Sequence, residues 1–83
     1  PDVLVIDDEA DSRRVTARIL AASGADVREA ESGEAGLVAM RRRRPDVAVV
    51  DLMMPVLDGF GVIAAMRADP RLRGVPVVVL TAK

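Results

Sequence analysis

A parallel α/β sheet is the fold this sequence predicts, and three observations predict it. Four short apolar runs recur along 83 residues, segments of helical length separate them, and polar or breaker residues bound those segments. The alternation reads βαβαβαβ, and strands joined through helices run parallel with right-handed crossovers. No linker, internal repeat or low-complexity tract interrupts it, so one domain with a modest core is expected.

The first run, VLVI at residues 3–6, is continuously apolar, as suits a strand covered on both faces. Residues 11–23 follow with Val15, Ile19 and Ala22 at helical spacing, Asp11 or Ser12 as N-cap and Gly24 as stop. The second run, ADVREA at 25–30, alternates and suits an edge strand. A helix over 33–43 then follows Ser32 and should bury Leu37 and Met40. It ends in four arginines, 41–44, ahead of Pro45. Cations there complement the helix dipole and stay solvated, a plainer reading than a patch for a polyanion. The third run, VAVV at 47–50, is again continuously apolar. Residues 58–68 start at an aspartate cap, carry Ile63 and Met66 three apart, and stop at DPRLRG. VVVL at 77–80 is the fourth strand.

Composition narrows the chemistry. The chain is 51% hydrophobic and 30% charged, with no apolar run near the roughly 20 residues of a membrane span and no signal-peptide pattern. It reads as a soluble protein with no membrane partner. It contains no cysteine and no histidine, which removes disulfides, thiolate or imidazole metal sites and every nucleophile–histidine pair. A net charge of -1 argues against strong non-specific nucleic-acid binding, so no direct nucleic-acid contact is expected. Carboxylates, hydroxyls and cations remain.

Asp51 is the informative residue, because it follows four apolar residues at the end of a buried strand. A carboxylate there needs a cation, hydrogen-bond donors or the open end of a sheet. In parallel sheets ligands sit outside the carboxyl ends of the strands. Those ends carry Asp7, Asp8 and Glu9 on the first strand, Asp51 on the third, and Thr81, Ala82 and Lys83 on the fourth. With the first and third strands adjacent, Asp51 faces Asp7 and Asp8. Carboxylates so close repel, and an oxygen-only donor set with room for water suits Mg²⁺, usually completed by phosphate. Aspartate is itself a nucleophile toward phosphoryl groups. Taken singly, Asp7, Asp8 and Asp11 would merely cap a helix and Asp51 a turn. Two adjacent acids on one strand facing a third on another exceed what a cap needs.

The segments VLVIDDE, VVDLMMPVLDG and PVVVLTAK, in this order and at these separations, resemble the receiver domain of bacterial two-component response regulators across the whole chain. The resemblance implies a flavodoxin-like (CheY-like) doubly wound parallel sheet of order 2-1-3-4. It also implies a cytoplasmic phosphorelay module rather than a turnover enzyme, with a sensor histidine kinase or phosphotransfer protein as phosphodonor. By position, Asp51 is the phosphoacceptor, Asp8 a direct Mg²⁺ ligand, Asp7 a ligand acting largely through water, and Met53 a backbone-carbonyl ligand. Thr81 is the switch hydroxyl and Ala82 leaves the phosphoryl group room; Pro55 and Gly59 shape the loop, and Asp58 caps the third helix.

The resemblance stops short of the family's fourth helix, fifth strand and fifth helix, which carry a phosphate-binding lysine and a mobile aromatic. Lys83 and Phe60 do not stand at those positions. Residues 1–83 thus read as the first two thirds of a receiver, with VVVL an uncovered hydrophobic edge. Either more chain follows, or a homodimer or swapped partner covers that edge. Two other functions fit the segments less well: a phosphorylation-independent pseudo-receiver, and a haloacid-dehalogenase-like phosphatase, which needs a second acid where Met53 stands.

Overall fold

The computed structural model describes residues 1–80; Thr81, Ala82 and Lys83 lie outside the described residues. Seven elements follow one another: β1 (Asp2–Ile6), α1 (Ala10–Ala22), β2 (Asp26–Ala30), α2 (Gly33–Arg42), β3 (Val47–Asp51), α3 (Gly59–Ala68) and β4 (Val77–Leu80). The strands pair in parallel in the order β2-β1-β3-β4, so the doubly wound order expected of the sequence is the order found.

Alternation along the strands divides the core in two. Leu4, Ile6, Ala48 and Val50 point to the layer holding Leu37, Met40, Val62 and Met66 of α2 and α3. Val3, Val5 and Val49 point the other way, where Leu20 of α1, Ala25 and Val27 pack on them. The central strands therefore carry apolar residues on both faces, as their unbroken apolar runs predict. β2 is an edge strand with a mixed burial pattern, which its alternating sequence anticipates. β4 is the other edge among the described residues, and its middle residues Val78 and Val79 are exposed.

Helix ends follow the expected chemistry in two cases. The Ser32 side chain accepts the Ala35 N–H at 3.1 Å, and Asp58 Oδ1 accepts the Gly61 N–H at 2.9 Å. After α1, Gly24 takes φ +100°, open to glycine at little cost.

α1 departs from expectation twice. It begins at Ala10 with Glu9 at the N-cap, so neither Asp11 nor Ser12 caps it. The Ser12 hydroxyl is drawn away to the Asp7 carboxylate. The expected stripe Val15, Ile19 and Ala22 also faces outward: Val15 is 56% exposed and Ile19 66%. Ala17 and Leu20 meet the sheet instead. Arg13 lies on that same side: its Nη1 donates to the Asp7 carbonyl at 3.0 Å and its Nε pairs with Glu29 at 2.9 Å. Ala17, four residues on, shares its face of the helix.

Candidate functional site

The register of the central strands builds the site. Ile6 of β1 lies opposite Val50 of β3, so Asp7, just past β1, and Asp51, the last residue of β3, stand side by side at the carboxyl end of the sheet. Ladder bonds continue past the strand ends, from Asp7 N–H to the Ala30 carbonyl at 3.1 Å and from Leu52 N–H to the Leu80 carbonyl at 3.2 Å. Main chain on both flanks thus fixes the two positions. Asp7 and Asp51 are fully buried, whereas Asp8 is exposed. One carboxylate oxygen from each of Asp7, Asp8 and Asp51 lies within 4.8 Å of the other two.

Each buried carboxylate is oriented by the chain that follows it. Asp7 Oδ1 accepts the Glu9 N–H at 3.0 Å, and Asp7 Oδ2 accepts the Ser12 hydroxyl. Asp51 Oδ1 accepts the Met53 N–H at 3.0 Å. Beneath Asp51 the chain closes tightly: the Gly59 N–H donates to the Leu52 carbonyl at 3.2 Å. A Cβ on Gly59 would stand 2.6 Å from the Asp51 carbonyl oxygen and 2.6 Å from Leu52 Cα, both main-chain atoms. Only glycine lets α3 start this close to the end of β3. The intervening loop carries Val56 at φ +67°, unusual for a β-branched residue.

The acid trio fits a hard divalent ion. Ligand oxygens around an octahedral Mg²⁺ stand about 3 to 4.2 Å apart at bond lengths near 2.1 Å. The trio's oxygens, all within 4.8 Å of one another, are close to that spacing. The donors are all oxygen, and two buried carboxylates beside a third repel one another unless a cation joins them.

Asp7, Asp8 and Asp51 are thus brought together as expected from the sequence. Met53 sits beside them, its main chain engaged with Asp51 through the N–H and its side chain exposed. Pro55 is exposed in the same loop, and Asp58 is the cap of α3. Thr81 and Ala82, expected at the end of the fourth strand, lie outside the described residues. Sequence reasoning missed Ser12 as a partner of Asp7. Its place in the first turn after Asp7 was a signal, but one equally suited to a helix cap.

The opposite end of the sheet is dominated by arginine. Asp2 bonds Arg28 Nε at 3.0 Å and Arg43 Nε at 2.8 Å. Partial burial works to raise the Asp2 carboxyl, but hydrogen bonds and charge from Arg28 and Arg43 outweigh it and hold the group below its usual range. Asp69 is held low by the Arg71 N–H, against desolvation, with Arg41 adding to the effect.

Comparison with known proteins agrees with this geometry. The family profile of the response regulator receiver domain matches residues 3–83. A probable transcriptional regulator, ycf27, of Porphyridium aerugineum is 45% identical over 80 residues, covering 96% of this chain and 32% of that protein. The solved N-terminal domain of a response regulator receiver protein from Methanoculleus marisnigri superposes with a TM-score of 0.95 at 35% identity, over 99% of this chain and 67% of that one. A sensor protein from Polaromonas sp. superposes with a TM-score of 0.96 at 32% identity, over 100% of this chain and 66% of its own. The chain therefore spans about a third of that curated relative and two thirds of these solved chains. Among the described residues no helix is long and apolar enough to cross a membrane.

Proposed function

The chain belongs to the response regulator receiver domain family, and from that membership we propose that Asp51 accepts a phosphoryl group in a two-component phosphorelay. The donor is a phosphohistidine of a sensor histidine kinase or phosphotransfer protein, and the cofactor is Mg²⁺. The observation that carries this reading is the convergence of Asp7, Asp8 and Asp51 at the carboxyl ends of β1 and β3.

In the transfer an Asp51 carboxylate oxygen forms a bond to phosphorus while the phosphorus–nitrogen bond of the donor breaks. The electron pair of that bond returns to the imidazole ring, which takes a proton from water. Met53 contributes before the reaction, because its N–H fixes the Asp51 carboxylate for attack. Asp8 would ligate the ion directly, Asp7 largely through water, and Met53 through its carbonyl oxygen. When bound, Mg²⁺ neutralises charge on the transferring phosphoryl oxygens. Thr81 would turn its hydroxyl toward the phosphoryl group, with Ala82 leaving it room. The domain assists only its own phosphorylation and dephosphorylation, in the cytoplasm, and turns over no other substrate.

Incubation of the full-length protein with Mg²⁺ and acetyl phosphate or phosphoramidate tests the proposal. The expected result is an acid-labile gain of one phosphoryl group on Asp51, abolished by EDTA and by Asp51→Asn. No adduct with either donor, at saturating Mg²⁺, contradicts it.

A further inference from the structure

We infer that Ser12 is a positioning residue for the metal site, its hydroxyl fixing the orientation of the Asp7 carboxylate and thereby setting the affinity of the acid trio for Mg²⁺. The inference rests on the metal-binding reading of Asp7, Asp8 and Asp51 given above.

An aspartate side chain turns easily about its last torsion, which has broad wells rather than sharp ones. A donor on one oxygen leaves much of that freedom. Asp7 has donors on both: the Glu9 N–H on Oδ1 at 3.0 Å and the Ser12 hydroxyl on Oδ2. Both belong to the start of α1, Glu9 as its N-cap and Ser12 in its first turn. The carboxylate plane is therefore set by a rigid element. Each ionised carboxylate oxygen can accept more than one bond, so a donor on each is compatible with a place in the pocket shared with Asp8 and Asp51.

The chemical nature of the donor matters as much as its position. A hydroxyl satisfies Asp7 without adding positive charge, whereas a lysine or arginine there would compete with the divalent ion. The serine is not held by its own helix instead, since its contact with the Glu9 carbonyl is long, at 3.5 Å. Arg13, the next residue, bonds the Asp7 main-chain carbonyl and pairs with Glu29. Groups that orient a metal ligand in this way typically change metal affinity about 10- to 100-fold when removed.

Threonine and valine share one shape and differ by the hydroxyl, so Ser12→Thr and Ser12→Val isolate its effect. Mg²⁺ affinity is read by isothermal titration of the full-length protein, with metal-free thermal melting as the control for folding. The expected result is that Ser12→Thr binds within about threefold of the parent, while Ser12→Val binds about tenfold or more weakly, with matching metal-free melts. Should Ser12→Val unfold, Ser12→Ala takes its place in the same comparison. Equal Mg²⁺ affinity in the two variants, with Asp8→Asn still weakening binding at least tenfold, overturns the role of Ser12 and leaves the metal site standing. Mg²⁺ binding that is absent in the parent, or indifferent to Asp8→Asn and Asp51→Asn alike, overturns the site itself and this inference with it.

Discussion

At the scale of single residues, the loop between β3 and α3 shows what holding Asp51 requires. Val56 occupies φ +67° and is 95% exposed, so no packing compensates its unfavourable backbone. A left-handed conformation costs an ordinary L-residue about 1–2 kcal/mol, and a β-branched side chain fits it worst. Val56→Gly should therefore raise stability by about 0.5–1 kcal/mol, after the greater entropy loss of glycine is subtracted. Urea unfolding measures this, and an unchanged or lower midpoint contradicts the conformation. The contrast with Gly59 is instructive. Its need for glycine was legible beside the Asp58 cap in a motif with family precedent, whereas nothing in a valine announces a positive φ.

At the scale of elements, α1 separates what periodicity reveals from what it does not. In α2 the pattern pointed to Leu37 and Met40, and both are buried. In α1 two stripes were available, Val15–Ile19–Ala22 and Ala17–Leu20, and counting apolar residues favours the larger side chains. The sheet meets the smaller stripe, on the side where Arg13 reaches the Asp7 carbonyl and Glu29 of β2, contacts far apart in sequence that local pattern cannot show. In the 83-residue chain, Val15→Lys and Ile19→Lys should accordingly shift unfolding by no more than about 0.5 kcal/mol. Met40→Ala, at 1% exposure, should cost about 2–5 kcal/mol. A large loss in either lysine variant would put the observed face of α1 in error. The Ser32 and Asp58 caps were legible because each is written in a few adjacent residues, whereas the strand order followed from the family resemblance of three segments spread along the chain.

Arg28 joins β2 to its neighbours in the same way, through Asp2 on β1 and through the Ala39 and Arg43 carbonyls at the end of α2, at 3.3 and 2.8 Å. The pH dependence of Asp2 follows from this contact. Its folded-state pKa lies below the ordinary 3.8 of the unfolded chain, so its stabilising contribution is fully present above that value and is lost as pH falls through the lower one. Acid titration of stability should show a steeper fall below pH 4 in the parent than in Asp2→Asn. Equal slopes would mean that the arginines do not hold Asp2 as described.

At the scale of the whole molecule, charge is divided between the two ends of the sheet. The acid trio stands at the carboxyl ends of the strands, and arginines gather where α2 and α3 finish. Several of them tie those helix ends together: Arg41 to Asp69 at 3.3 Å, Arg71 Nη2 to the Arg41 carbonyl at 2.7 Å, and Arg44 Nε to the Arg71 carbonyl at 2.9 Å. The four-arginine run thus serves the helix terminus, with Arg41 and Arg42 in the last turn of α2. The convergence of three carboxylates at the other end is the basis for the divalent ion proposed there. Crystals of the full-length protein soaked in Mn²⁺, which prefers the same oxygen donors, allow that ion to be located by its anomalous scattering. A single strong peak within coordination distance of both the Asp8 and Asp51 carboxylates is the predicted result; its absence there at saturating Mn²⁺, with the two carboxylates well ordered, would contradict the account.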